Sequence, residues 1–305
     1  MHDKPRITIV VDSPGWCHDM RAENLRRVLG DRYAIAKVYQ DHLPFNILGG
    51  SDIVVVNYFG QCSAIPALAE WCREEKQRVL MGVCSLADTS SENLERVKEH
   101  ASHVFCISPE ISDRILPQIG GHRMLLNGVD STFFKPDRRR RPKSQFNVGW
   151  AGSLASRGPE FRGYDLIQKA VEGIPGAVLQ TADGKLPWDQ MVGFYQSLHV
   201  YVCASESEGT PNPCLEAAAC GVPVITTKVG VMPHFIQEGI NGLFVTRDVA
   251  SIRWAIEFLK RDPIFLGQMG EMARATVEGG WDWKYKATSW DRAFDEVLGI
   301  STKAQ

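Results

Sequence analysis

HVYVCASESEGTPNPCLEAAACGVPVI, residues 199–225, decides the fold. It opens on an apolar, β-rich run, crosses a Gly/Pro loop, enters a small-residue helix and leaves through a second apolar strand. Apolar strands joined by a helix belong to a parallel sheet covered on both faces. Asn212 followed by Pro213 predicts an N-cap and a first helical position. Glu216 then falls near the end of the first turn, where the helix dipole favours negative charge. Gly221 is placed to close the helix. Glu208 and Glu216 read either as a solvated loop acid and a dipole-stabilising acid, or as two halves of a ligand site.

Outward from this stretch the same grammar repeats. In the first half ITIVVD, AIAKVYQ, DIVVVNYF, RVLMGV, HVFCIS and RMLLNGV read as strands, and AENLRRVL, AIPALAEWCREE, SENLERVKEH and PEISDRIL as helices. In the second half FNVGWAG, AVLQTAD, HVYVCAS, PVITT and GLFVT alternate with YDLIQKAVEG, DQMVGFYQSL, CLEAAAC and a long final helical set. The expected fold class is α/β, with two doubly wound Rossmann-like domains facing across a cleft. The first spans 1–136, a linker 137–145, and the second 146–283. In such sheets ligands bind beyond the carboxyl ends of the strands.

Composition narrows the function classes. The chain has 305 residues, 44% hydrophobic and 23% charged, with a net charge of −2. That charge provides no global field for nucleic acid. Eight cysteines include no C-x-x-C pair, so they read as buried free thiols in a reducing cytosol, with no zinc site. The apolar run before Asp12 is shorter than a signal-peptide core, and no run reaches the roughly 18 apolar residues of a membrane span. The expected location is cytoplasmic, with peripheral contact to an anionic membrane left open.

The order of four motifs then resembles the GT-B retaining glycosyltransferases of family four. Glu208-x7-Glu216 matches the family's E-x7-E motif, with Gly209 directly after the first acid. EAAACGVPVI, KVG and GINGLFV match the segment that follows it. NGVDSTFFKP (127–136) matches the boundary between domains, and NVGWAGS with FRGYDLIQKA the donor-phosphate segment. The resemblance runs from about residue 104 to the C-terminus. It implies transfer of a hexose-type sugar from a UDP- or GDP-sugar to a hydroxyl acceptor, without metal or other cofactor. It also implies a C-terminal helix, about 284–305, that crosses back to the first domain. Glu208 would meet the donor sugar, as a positioning and electrostatic residue more than a nucleophile. Glu216 would meet the ribose hydroxyls. Arg162, Gly209, Thr210, Asn212, Gly152, Ser153 and Arg157 would surround the diphosphate, and Gly15, Trp16 and Ser85 would lie in the first domain's part of the cleft.

The departures are equally specific. Ser153 stands where the family carries an arginine, and Arg162 where it carries a lysine. Arg157 either replaces the missing cation or is solvated. Pro211 and Pro213 have no N–H, so Gly209, Thr210 and Asn212 must supply the loop's amide donors. No histidine follows the fourth strand; Ser85 or Asp88 stands there. His18 and His103 read as a loop and a strand histidine, and His234 as a surface or cap residue. The arginine run 138–141 reads as a solvated linker or as a contact for anionic lipid. Trp281, Trp283 and Trp290 read as core packing, with a sugar platform as the rival. A non-catalytic nucleotide-sugar-binding or partner subunit and a same-fold epimerase are the alternatives to a transferase. An NAD enzyme is disfavoured because DSPGWC lacks G-x-G-x-x-G.

Overall fold

A computed structural model describes residues 4–43, 45–137, 144–184 and 186–300. The chain divides into two compact units, 1–128 with 283–305, and 129–282. The division falls before the linker expected from the sequence. Val129 bridges to Asp282, and the Asp282 carboxylate accepts from the Ser131 amide at 3.0 Å and hydroxyl at 2.5 Å. Residues 129–134 of the NGVDSTFF segment are thereby tied to the second unit. The arginine run 138–141 falls within residues 138–143, which lie outside the described residues.

The first unit carries strands β1 (Arg6–Val11), β2 (Ala34–Tyr39), β3 (Ile53–Val56), β4 (Val79–Val83), β5 (His103–Cys106) and β6 (His122–Met124). They form one parallel sheet in the order β2-β1-β3-β4-β5-β6. Strands β1, β3 and β4 are buried almost end to end, as a sheet with both faces covered requires. The expected strand DIVVVNYF stops at Val56, because Phe59 already opens the helix Phe59–Ala64. The helix Cys17–Leu29 also starts earlier than AENLRRVL suggests. The chain closes on the helix Trp283–Val297, whose Trp283, Trp290 and Phe294 are buried in this unit's core.

The second unit carries β7 (Phe146–Gly152), β8 (Ala177–Asp183), β9 (Val200–Cys203), β10 (Val224–Thr226) and β11 (Gly242–Phe244). Their order is β11-β10-β9-β7-β8, again all parallel. Its core gathers Val148, Trp150, Ile167, Val200, Val202, Ile225 and Ile256. The helix Asn212–Ala219 buries Cys214, Leu215 and three alanines. Those short side chains let its backbone settle close to the sheet, which fixes where the helix entrance lies. The segment Leu154–Arg162, two short helical stretches joined by a kink at Gly158 (φ 75°), has no counterpart in the sequence, where the Gly158–Pro159 pair suggests only a turn.

Candidate functional site

The strand order of the second unit reverses between β7 and β9, which are neighbours although β8 intervenes in the chain. Loops leaving the carboxyl ends of these two strands therefore diverge and leave a crevice. Gly152 ends β7, in register with Asp183 of β8. The Asp183 carboxylate accepts from the Leu154 amide at 2.9 Å, and the Tyr201 hydroxyl bonds both the amide and the carbonyl of Ala151. The end of β7 is thus held from both sides. Ser153 precedes the Leu154 helix without a side-chain cap bond.

Two glycines bring the remaining groups together. Gly163, at φ 65°, ends the Leu154–Arg162 helix, and a Cβ there would collide with the carbonyl oxygen of Ala204. Only glycine permits this conformation and this approach. The result carries Arg162 to the loop after β9, where its Nη1 donates to Glu208 Oε1 at 2.6 Å. Both side chains are about four-fifths buried, at 22% and 18% exposure. The Arg162 Nε is also buried and makes no hydrogen bond among the described residues. On the other side Gly230, at φ 53°, leaves room for the carbonyls of Glu208 and Gly209, and the Val231 amide donates to Gly209 at 3.1 Å. The Glu206 amide donates to the Phe161 carbonyl at 3.0 Å. Glu208 is consequently held by backbone contacts on both flanks as well as by Arg162.

The entrance of the next helix differs from expectation. Pro211 is the N-cap, with no side-chain cap bond, and Asn212 is the first helical residue. The Asn212 amide donates to the Thr210 carbonyl at 2.9 Å. It is therefore spent within the loop, which corrects its assignment as an amide donor toward a ligand. Proline at 211 and 213 removes two further donors.

Glu216 lies deeper. Tyr195, on the helix Trp188–Gln196, donates its hydroxyl to Glu216 Oε2 at 2.7 Å. Burial pushes the Glu216 carboxyl up to about 7, and the Tyr195 hydrogen bond only partly opposes this. The Tyr195 phenol is itself driven well above its usual range by burial and then by the Glu216 charge, so it acts as a donor. The sequence reading missed Tyr195. In DQMVGFYQSL it is one aromatic of an amphipathic run, and nothing in its spacing links it to a glutamate.

In the first unit, Gly15 turns at φ 76° and its amide donates to Asp19 at 2.8 Å. Trp16 caps the Cys17 helix and is 46% exposed. Ser85 caps a short turn: its hydroxyl accepts from the Ala87 amide, while its own amide donates to Asp88. Ser85 and Asp88 are thus partners of each other. His18 is not a loop residue as expected. It lies in the first turn of the Cys17–Leu29 helix, 8% exposed, with Nδ1 3.1 Å from Asp12 Oδ2. His103 opens β5 and His234 is exposed on the short helix Met232–Phe235. The side chain of Arg157 lies outside the described residues. Among the described residues there is no group of three potential metal ligands, and no helix is long and apolar enough to cross a membrane.

Comparison with known proteins places these features. The family model described as Glycosyl transferases group 1 matches residues 180–276, which include both glutamates and Tyr195. A D-inositol 3-phosphate glycosyltransferase of Arthrobacter sp. (strain FB24) is 35% identical over 147 residues. That alignment covers 47% of this chain and 34% of the relative, so the chain spans about a third of that relative's length. A GDP-mannose-dependent alpha-(1-6)-phosphatidylinositol monomannoside mannosyltransferase of Mycolicibacterium smegmatis is 23% identical, covering 78% of this chain and 75% of its own. Among solved structures, sucrose-phosphate synthase from Thermosynechococcus elongatus superposes with a TM-score of 0.81 at 16% identity, covering 98% of this chain and 100% of that one. Anabaena HepE in complex with UDP and glucose gives 0.74 at 14% identity, covering 95% and 99%. Residues 180–276 thus resemble the group 1 glycosyl transferases, and the two parallel α/β units have the GT-B fold that these solved glycosyltransferase structures share.

Proposed function

We propose that the chain moves a hexose-type sugar from a UDP- or GDP-sugar to a hydroxyl acceptor, with retention at the anomeric carbon and without a metal ion. The observation that carries this reading is the 2.6 Å Arg162–Glu208 pair at the switch point of the second sheet. Breaking the anomeric C–O bond leaves negative charge on a diphosphate. Arg162 supplies a fixed cation for that charge, and its unused Nε a further donor. Such a cation would stand in for a divalent metal. Glu208 is held by a guanidinium, which suits it to orient hydroxyls and shape the field more than to attack carbon. That distinguishes it from the nucleophilic carboxylate of most retaining glycosidases. Glu216, presented from the following helix and steadied by Tyr195, would accept from ribose hydroxyls. Retention would follow from a front-face attack in which the leaving phosphate assists the incoming hydroxyl.

The test is calorimetric titration of the full chain with UDP-, GDP- and ADP-sugars, followed by product analysis with candidate hydroxyl acceptors. A relative named for GDP-mannose and a same-fold structure solved with UDP and glucose keep both UDP- and GDP-sugars in the panel. Binding of one donor, its slow hydrolysis, and an anomer-retained product insensitive to EDTA are expected. Failure of every sugar nucleotide to bind removes the transferase reading, and an inverted product removes retention. Ser153 in place of a cation and the spent Asn212 amide favour one second reading, a nucleotide-sugar-binding subunit without turnover. It gains if a donor binds and is never consumed. We also propose a cytoplasmic location. Contact of the 138–141 arginines with anionic membrane would appear as salt-sensitive cosedimentation with phosphatidylserine vesicles.

A further inference from the structure

A hydroxyl and an imidazole meet at the outer edge of the first unit's sheet, where β6 is the last strand. Ser112 lies on the helix Pro109–Ile115, which buries Ile111 and Ile115 and leaves Ser112 half-buried. A serine within a helix ordinarily turns its hydroxyl back to the carbonyl four residues earlier. Here Ser112 Oγ lies 2.8 Å from Nε2 of His122, the first residue of β6. The other ring nitrogen, Nδ1, lies 2.8 Å from the Ile119 carbonyl oxygen. A carbonyl only accepts, so Nδ1 carries the ring proton. In the neutral imidazole Nε2 is then the acceptor, and the Ser112 hydroxyl donates to it. Nucleophile, base and orienter thus follow in the order that activates a hydroxyl.

Two further features surround this pair. Gly120 and Gly121, between the orienter and the base, are exposed, and a Cβ at either would meet nothing within 4 Å. The approach on that side is open. Their amides donate to no group among the described residues. Two adjacent amide donors without acceptors are what the oxyanion of an acyl transfer needs. The flanks are apolar. Leu116 follows Ser112 by four residues in helical conformation, hence on the same face, and is 54% exposed. Met124 follows His122 by two residues on the strand, again on the same face, and is 44% exposed.

We infer that Ser112 and His122 form an acyl-transfer site of their own, which takes small activated carboxylic esters. His122 Nε2 takes the Ser112 proton as Oγ bonds to the ester carbonyl carbon, and the Gly120 and Gly121 amides stabilise the resulting oxyanion. The C–O bond to the alcohol then breaks, and His122 returns the proton to the departing oxygen. This leaves an ester on Ser112. A water deprotonated by the same nitrogen splits that ester into the acid and free Ser112. Ester and water therefore give acid and alcohol, with no change of oxidation state. Leu116 and Met124 favour an acyl chain of several carbons over acetyl. The inference is independent of the transferase reading.

The experiment mixes the full chain with p-nitrophenyl butyrate, follows p-nitrophenolate release and maps acid-quenched butyryl groups by peptide mass spectrometry. A butyryl group on Ser112, and release well above that of the same chain in urea, are expected. Ser112→Ala should remove both the label and the excess over the unfolded chain. His122→Gln should slow release about 10²-fold, as loss of a general base does. Label confined to lysines or to His122 itself, or release that Ser112→Ala leaves unchanged, overturns the inference. If His122→Gln does not fold, the label map of the unaltered chain and the Ser112→Ala rate still decide.

Discussion

Glu208 and Glu216 hold their carboxylates in different ways, one by a guanidinium at 2.6 Å and the other by a phenol at 2.7 Å. On the proposed mechanism Glu208→Gln keeps size and hydrogen bonding but deletes charge. Turnover should fall about 10²- to 10³-fold while nucleotide binding survives; steady-state rates and calorimetry separate the two. Arg162→Ala should instead weaken nucleoside diphosphate binding, by about 1.5–3 kcal/mol for the loss of charge-assisted bonds. Glu216 carries a pH signature. Its carboxyl rises from 4.5 to about 7 on folding. The folded state therefore binds more protons than the unfolded state between those values, and stability must fall as pH rises through this window. The fall is at most about 3 kcal/mol, since Glu216 keeps some exposure. Glu216→Gln should flatten urea-derived stability across the window. If the carboxylate accepts ribose hydroxyls, wild-type nucleotide affinity should strengthen as pH passes about 7, a step missing in the glutamine variant.

At the scale of elements, the site depends on one left-handed residue. Gly163 is where the Leu154 helix stops, where the Tyr164–Glu172 helix starts, and where the chain passes the Ala204 carbonyl. Gly163→Ala should cost more than about 1 kcal/mol in denaturant melts, from positive φ and the collision together. It should also reduce donor binding, because Arg162 is the adjacent residue; unchanged binding would break that link. The FRGYDL motif made Gly163 and Arg162 visible in the sequence, and CGVPVI made the helix and strand visible. Other elements were hidden for physical reasons. The Leu154 helix contains a Gly–Pro pair that breaks its periodicity. The aromatics of VNYF look like strand residues, yet Phe59 packs from a helix. Proline at 211 and 213 obscures which residue is the cap, and Tyr195 reaches Glu216 through tertiary packing that no local pattern encodes.

Across the whole molecule the two halves use one topology, with the second strand outside the first and the rest running the other way. Alternation of apolar strands and helices made this legible. The resemblance implied that the C-terminal helix returns to the first unit; the individual contacts by which it does so had no local signal in the sequence. Trp290 is fully buried there, with its ring 5.0 Å from Phe105 and its Nε1 donating to the Leu126 carbonyl at 3.3 Å. It also covers Arg21, whose Cζ lies 5.5 Å from the ring. That guanidinium is 1% exposed and is held by neutral partners, the side-chain oxygens of Asn57 and Asn127. Trp290→Ala should therefore cost more than a cavity alone. The ring's removal is worth about 3–5 kcal/mol, and a buried cation loses the face that shields it. A loss of that size is comparable to the 5–15 kcal/mol that typically holds a domain. The second unit has its own core, around Val148, Trp150 and Ile225. Hydrogen exchange on the variant should thus show faster exchange in β4 and β5 and unchanged protection in β7 and β9. Equal acceleration in both units would mean that the two cores fold as one and that Trp290 stabilises the whole chain.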